Sequence, residues 1–188
     1  MAGAVYSVND FDIYNKGQLN IDGFLLDSIY TDETGMKAAL FVRGNNEYVL
    51  SFAGTSSWSD WKANFIQGLG KSSQQYQSAL ELAERMVRNY GNVHLVGHSL
   101  GGGLAATAAL NTGLTASIYN PAGLHMNTLK KSLRYNDIQH YYSNTDALRY
   151  VNILMINRGI MPIGNMNSLG YAGWHSMSDL CEVYGRTC

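Results

Sequence analysis

Residues 94–110 constrain the chain most, because they surround one serine with residues that have almost no side chain. Their sequence is HLVGHSLGGGLAATAAL. A short apolar run, VHLVG, predicts a buried strand before Ser99, and the residues after Ser99 predict a helix of small residues. Two interpretations fit this pattern: a plain glycine-rich turn, or a nucleophile held on a strained turn.

The serine lies at the centre of a G-x-S-x-G pentapeptide, Gly97-His98-Ser99-Leu100-Gly101. In a nucleophile elbow, the serine turns sharply between a strand and a helix, so that its hydroxyl projects above the sheet. The flanking glycines are needed because a Cβ at either position would collide across the turn. The predicted strand–turn–helix context therefore favours a nucleophile, with Gly97, His98 and Gly101 as its scaffold.

Two nucleotide-binding interpretations of the glycines fail. A phosphate-binding P-loop needs Gly-Lys-Ser/Thr, which does not occur among residues 94–110. A dinucleotide site needs an acidic residue after the next strand, and the predicted strand ASIYN ends without one.

A nucleophilic serine needs a histidine base, and the base needs an acid that orients it. In this architecture the chain order is serine, acid, histidine. The acids between Ser99 and the C-terminal region are Asp137, at the start of a predicted strand, and Asp146, after the end of that strand. His175 is the one histidine that follows Asp146. The predicted triad is Ser99, Asp146 and His175, with a helix N-cap as the alternative role of Asp146 and a capping or surface role as that of His175.

An oxyanion hole requires two backbone donors. The N–H of Leu100 begins the helix after the nucleophile and is the first. The segment SFAGTSSWSDW supplies the second, because a predicted strand ends at Phe52 and Gly54 permits close approach of Thr55. The alternative for this segment is an ordinary turn.

The pattern of elements predicts one α/β domain over residues 1–188. The runs FLLDSIYT, KAALFVR and EYVLSFAG predict an antiparallel N-terminal portion, and SSQQYQSALELAERMVRNYG predicts an amphipathic helix. Strands and helices then alternate, which predicts a mostly parallel central sheet with helices on both faces. We also predict helices over 4–15, from Ser59 and around 125–132, and a loop over 159–173; ALRYVNILMI is ambiguous.

Composition excludes several classes of function. The net charge of −1, without a basic run, argues against nucleic-acid binding, and no apolar run is long enough to predict a transmembrane segment. The first residues, MAGAVYSVNDFD, do not have the pattern of a secretory signal peptide. Cys181 and Cys188 are spaced so that a disulfide between them is possible, and they do not form a zinc-binding motif. The predicted chemistry uses no metal and no organic cofactor.

Five segments together resemble the class 3 lipase branch of the α/β hydrolases. They are YVLSFAGTSSWSDWKAN, HLVGHSLGGGLAATAAL, YNPAG, SNTDALRYV and GWHSM, in the family's order. The resemblance implies an α/β-hydrolase fold, a triad of Ser99, Asp146 and His175, and an oxyanion hole of Thr55 and Leu100. The sequence departs from the family at Ala53, where arginine is usual, and at Asn64, where an acid is common.

The resemblance implies an acyl-ester hydrolase, and we expect a phospholipase A acting on glycerophospholipids at a membrane surface. Met161, Met166 and Trp174 lie between the acid and the base and would line an acyl pocket or contact lipid; a plain surface loop is the alternative. Other functions left open are a soluble carboxylesterase or thioesterase, and a binding module without catalysis.

Compact domains of this kind also resemble antibacterial phospholipase effectors delivered by contact-dependent or type VI secretion. That resemblance implies a toxin made in the cytoplasm, delivered to the periplasm or membrane of a target cell, and neutralised by a cognate immunity protein.

Overall fold

The computed structural model describes residues 1–8, 19–54, 69–125, 137–154, 160–161 and 163–171. The helices in these ranges are α1 (Ala4–Ser7), α2 (Leu69–Tyr90), α3 (Leu100–Thr112) and α4 (Ala147–Leu154). The strands are β1 (Asn20–Ile21), β2 (Phe24–Thr31), β3 (Lys37–Arg43), β4 (Glu47–Phe52), β5 (His94–His98), β6 (Ala116–Tyr119), β7 (Leu124–His125), β8 (Ile138–Tyr142), β9 (Ile160–Met161) and β10 (Asn165–Ser168).

The described strands form one large sheet and one small one. The large sheet has the order β1-β2-β3-β4-β5-β6-β8-β10, and β7 pairs separately with β9. Pairings from β1 to β4 are antiparallel, and those from β4 to β10 are parallel. The predicted antiparallel N-terminal portion and the parallel later sheet are confirmed. The parallel strands direct their carboxyl ends to one edge, where ligands bind in open α/β sheets.

Alternation along β3 divides the core between the two faces of the sheet. Ala38 and Leu40 face α2 and α3, whereas Ala39 and Phe41 belong to a second cluster with α1. Residues 101–110 of α3 are all buried, because this helix packs between α2 and the strands β4, β5 and β6. The small side chains of α3 allow this close packing, and helices on both faces are confirmed.

Several local predictions need correction. The helix predicted over 4–15 ends at Ser7, since Val8 is extended. The predicted helix around 125–132 is wrong at its start, because His125 lies in β7 and pairs with Ile160. The loop predicted over 159–173 contains β9 and β10, which obtain their strand structure from distant partners. The ambiguous segment forms α4. The helix predicted from Ser59 lies outside the described residues.

No helix within the described residues is both long enough and apolar enough to cross a membrane.

Candidate active site

Ser99 occupies the predicted strained turn between β5 and α3. Its backbone has φ 58° and ψ −126°, a conformation that non-glycine residues rarely adopt. The Ser99 N–H donates to the carbonyl of Tyr119 at 3.1 Å. The Ser99 carbonyl accepts from the N–H groups of Gly103 at 3.1 Å and Ala122 at 2.8 Å. These bonds hold the strained residue in place from both sides.

Steric contacts explain the glycines around Ser99. A Cβ on Gly97 would meet the carbonyl of Gly101, and a Cβ on Gly101 would meet the carbonyl of Phe52. A Cβ on Gly102 would lie 2.9 Å from the Cβ of Pro121. The elbow therefore needs glycine because backbone segments approach too closely for any side chain.

The end of β4 lies beside the nucleophile, as an oxyanion hole requires. A Cβ built on Gly54 would lie 3.2 Å from the Cβ of Ser99 and 2.8 Å from the carbonyl oxygen of His98. Leu100 is the first residue of α3, where backbone N–H groups and the helix dipole favour negative charge. Thr55, the second predicted donor, follows Gly54 directly in the chain but lies outside the described residues.

Asp146 is fully buried in the loop that follows β8. Its Oδ1 accepts a hydrogen bond from the N–H of Leu148 at 2.7 Å, so the carboxylate caps α4. The N-cap role that the sequence left as an alternative is therefore observed. It is compatible with orienting a base, because a carboxylate has two oxygens with several acceptor positions.

Asn120 connects the strand beside the nucleophile to the loop that carries Asp146. Its φ is 39°, and its Oδ1 accepts from the N–H of Ser143 at 2.8 Å. The N–H of Asn120 donates to the carbonyl of Tyr141 at 2.8 Å. The side-chain amide nitrogen of Asn120 is buried and has no hydrogen-bond partner within the described part of the chain.

Three histidines that precede Asp146 make structural contacts. The ring nitrogens of His94 lie 2.7 Å from the Thr115 hydroxyl and 2.9 Å from the Ser117 hydroxyl. Nδ1 of His140 donates to the carbonyl of Ile163 at 3.0 Å, and burial lowers the pKa of His140.

His98, the third of these histidines, has Nδ1 3.2 Å from the hydroxyl of Tyr6. It is buried in the elbow beside Ser99, where the sequence predicts a scaffold role.

His175, Trp174 and both cysteines lie outside the described residues. Met161 lies on β9, opposite Leu124. Met166 lies on the edge strand β10, and its side chain is 48% exposed. The described residues thus bring Ser99, Leu100 and the Asp146 loop to the carboxyl edge of the parallel strands.

Sequence reasoning missed Tyr6 and Asn120. Tyr6 belongs to no motif and bonds to a residue 92 positions away, so no local signal marks it. Asn120 precedes Pro121 in the segment YNPAG. Its φ lies in the left-handed region, which asparagine adopts more readily than most other residues, and this explains why asparagine suits the position.

Comparison with known proteins identifies the family. Residues 18–171 match the phospholipase-like family described as the Tle-like phospholipase domain. The chain belongs to this family. A curated relative, the extracellular phospholipase A1 of Serratia liquefaciens, is 38% identical over 164 residues, which cover 79% of this chain and 51% of the relative. The chain thus spans about half the length of that relative.

Solved structures confirm the predicted α/β-hydrolase fold of this Tle-like domain. Lipase II from Rhizopus niveus superposes with a TM-score of 0.60 at 15% identity, covering 89% of this chain and 76% of the lipase. The Rhizomucor miehei lipase propeptide complex gives a TM-score of 0.59 at 14% identity, covering 88% of this chain and 61% of the lipase. The expected relationship to lipases is confirmed by family and by fold.

Proposed function

We propose that this Tle-like domain is a serine hydrolase that cleaves acyl esters of lipids, acting as a phospholipase A on glycerophospholipids. The observation that carries the proposal is the backbone of Ser99, at φ 58° and ψ −126°. Such strain costs on the order of 1–3 kcal/mol and persists where the surroundings enforce it, typically at functional sites. The Serratia relative is a phospholipase A1, which supports the substrate class.

In the proposed mechanism, Ser99 Oγ attacks the ester carbonyl while His175 takes the hydroxyl proton. Asp146 orients His175 and stabilises the imidazolium. The N–H groups of Leu100 and Thr55 stabilise the tetrahedral oxyanion. The proton then passes from His175 to the departing alcohol, which is the lysophospholipid. A water activated by His175 hydrolyses the acyl-enzyme, releasing a fatty acid and restoring Ser99.

Exposed apolar side chains support contact with a lipid surface near the acid loop. The exposed large apolar side chains of the described residues lie on α4, on β10 and just after it: Tyr150, Ile153, Met166 and Tyr171, with exposures of 56%, 51%, 48% and 82%. Met166 fits this surface better than a closed pocket, whereas an acyl pocket with Met161 and Trp174 stays a prediction.

We extend the proposal to delivery and regulation. The Serratia relative is called extracellular, and the family model is called Tle-like, which supports a secreted phospholipase. The proposed role is an antibacterial effector that acts on the membrane of a target cell. Its proposed partner is a cognate immunity protein that blocks the site in the producing cell.

The test uses mass spectrometry of defined phospholipid vesicles after incubation with the protein. Wild type is expected to release free fatty acid and lysophospholipid, and the lysophospholipid identifies the acyl position that is cut. Ser99→Ala is expected to release neither. Ser28→Ala is the matched control, because it removes a hydroxyl that bonds to Asp27 on β2, away from the site.

Cleavage of a short p-nitrophenyl ester without cleavage of vesicles would replace the phospholipase with a soluble esterase. Inactivity on both substrates would indicate a binding module. Equal activity of Ser99→Ala and wild type would contradict the assignment of the nucleophile.

A further inference from the structure

The short helix α1 lies outside the residues that match the family model, which begins at residue 18. It is nevertheless fixed to the sheet. Ala4 and Val5 are buried in the same apolar cluster as Ala39 and Phe41 of β3. The hydroxyl of Ser51 on β4 donates to the carbonyl of Met1 at 3.1 Å. The ammonium of Lys37 on β3 donates to the carbonyl of Val8. The residues that flank α1 are therefore bonded to β4 near its end and to β3 at its beginning, and these two positions lie close together in the sheet.

This attachment places the hydroxyl of Tyr6 between the two backbone segments beside the nucleophile. The N–H of Gly54 donates to the Tyr6 oxygen at 2.9 Å. The same oxygen lies 3.2 Å from Nδ1 of His98 and 3.3 Å from the carbonyl oxygen of His98. One side-chain atom thus contacts the residue before Thr55 and the residue before Ser99.

Tyr6 has a single hydroxyl proton, so its hydroxyl group can donate in only one of these three contacts. The arrangement that satisfies all three has the N–H groups of Gly54 and of His98 Nδ1 donating to the Tyr6 oxygen, and the hydroxyl donating to the His98 carbonyl. Burial raises the pKa of Tyr6 to about 12, although the bond from the Gly54 N–H opposes this rise. The phenol therefore keeps its proton at neutral pH.

We propose that Tyr6 is a positioning residue of the oxyanion hole, whose hydroxyl fixes the Gly54 and His98 backbone segments relative to each other. The inference rests on the proposed hydrolase function. The predicted donors of the hole are the N–H groups of Thr55, which follows Gly54 in the chain, and of Leu100, which begins α3. The spacing of the two donors must match the developing oxyanion. Preorganised donors stabilise a transition state because they need no rearrangement as the charge forms. Tyr6 supplies that constraint from outside the family domain.

Glycine at position 54 is consistent with this role. A Cβ there would lie 2.5 Å from the Tyr6 oxygen and 2.8 Å from the His98 carbonyl oxygen. The two segments and the hydroxyl are packed so closely that no side chain fits between them. The Tyr6 ring also meets the His98 ring edge to face, with centroids 6.2 Å apart. Phenylalanine would keep this ring contact and lose only the hydrogen bonds.

The test is Tyr6→Phe, assayed for hydrolysis of a short p-nitrophenyl ester. We expect kcat to fall roughly 10- to 100-fold, less than when an oxyanion donor itself is deleted, with KM changed by less than about twofold. Tyr48→Phe is the matched control, because it removes a hydroxyl that bonds to the carbonyl of Asn45 in a turn at the opposite end of β4. This control is expected to retain wild-type kcat.

A kcat of Tyr6→Phe within about twofold of wild type would overturn the positioning role. So would a rise in KM that accounts for the whole loss. Should Tyr6→Phe fail to fold, a fluorinated tyrosine at position 6 retains the hydroxyl but lowers its pKa. We then expect kcat to decline at lower pH than in wild type, and an unchanged pH profile would overturn the proposal.

Failure of the proposed hydrolase function and failure of the positioning role of Tyr6 would give different results. Inactive wild-type protein would remove the hydrolase function and this inference with it. Active wild type with an equally active Tyr6→Phe would remove the positioning role alone.

Discussion

The side-chain oxygen Oδ1 of Asn120 accepts a hydrogen bond from the N–H of Ser143 at 2.8 Å. Asn120 directly follows β6, the strand next to the elbow, and Ser143 directly follows β8. Asp146 donates its own N–H to the Ser143 carbonyl at 3.3 Å. The asparagine therefore connects the nucleophile's side of the site to the loop that carries the proposed catalytic acid.

Replacing Asn120 is expected to reduce the stability of the fold. Asn120→Gly tolerates the φ of 39° but loses the acceptor for the Ser143 N–H, which costs roughly 1–3 kcal/mol of unfolding free energy when the donor is buried. Asn120→Ala loses the same bond and adds about 1 kcal/mol of backbone strain. Urea unfolding measures the loss of stability in each variant. Equal stability of the two variants and wild type would show that this bond does not hold the loop.

Asp146→Asn separates the two roles of this residue. Asparagine is a good N-cap, so the bond to the Leu148 N–H and the thermal stability should be largely retained. The proposed orientation of His175 requires a carboxylate, and its loss is expected to lower kcat on the order of 10⁴-fold. Asp137→Asn, at the residue immediately before β8, is the control and should keep full activity. Full activity of Asp146→Asn would show that Asp146 caps α4 and is not the catalytic acid.

Gly101→Ala is expected to disrupt the elbow, because its methyl group would meet the carbonyl of Phe52. Overpacking of this kind typically costs about 1–3 kcal/mol, and the rigid backbone contact argues for the upper end. Gly91→Ala serves as the comparison, since its φ is 75° but no atom lies within 4 Å of the added methyl. Thermal melting should place Gly101→Ala below Gly91→Ala. A higher Tm for Gly101→Ala than for Gly91→Ala would mean that the elbow backbone can shift to accommodate the added methyl group.

Burial of His140 predicts a stability that depends on pH. Burial lowers the pKa of His140 in the folded state, so between that value and the unfolded pKa near 6.5 the unfolded chain binds more protons. The stability contribution is therefore lost as pH falls below about 6.5 toward the folded pKa. His140→Asn keeps a donor toward the Ile163 carbonyl and does not titrate, so its Tm should fall less than that of wild type between pH 7.5 and pH 5. Identical pH dependence in both proteins would contradict this.

The sequence was sufficient for the features that local patterns encode. The short apolar run in KAALFVR predicts the strand that the structure has at Lys37–Arg43, and the pentapeptide around Ser99 predicts the strained turn. Both follow from sterics within a few residues. The small residues of α3 likewise predict a helix packed closely on its strand, and residues 101–110 are buried as expected.

Features that depend on distant partners could not be predicted. β10 has the sequence NMNS, without a β-branched residue, and becomes a strand only by pairing with β8. β7 is a strand because β9 lies beside it. Tyr6 contributes to the site only because α1 is fixed to β3 and β4. Each case requires tertiary contacts that no window of sequence contains.

The most direct test of the central claim is labelling with a fluorophosphonate, which reacts with an activated serine, followed by peptide mass spectrometry. We expect one adduct per chain, on the peptide that contains Ser99, and no adduct on Ser99→Ala. The Asp146→Asn variant should be labelled more slowly. An adduct on a different residue, or no adduct on a protein that hydrolyses lipid, would show that Ser99 is not the nucleophile.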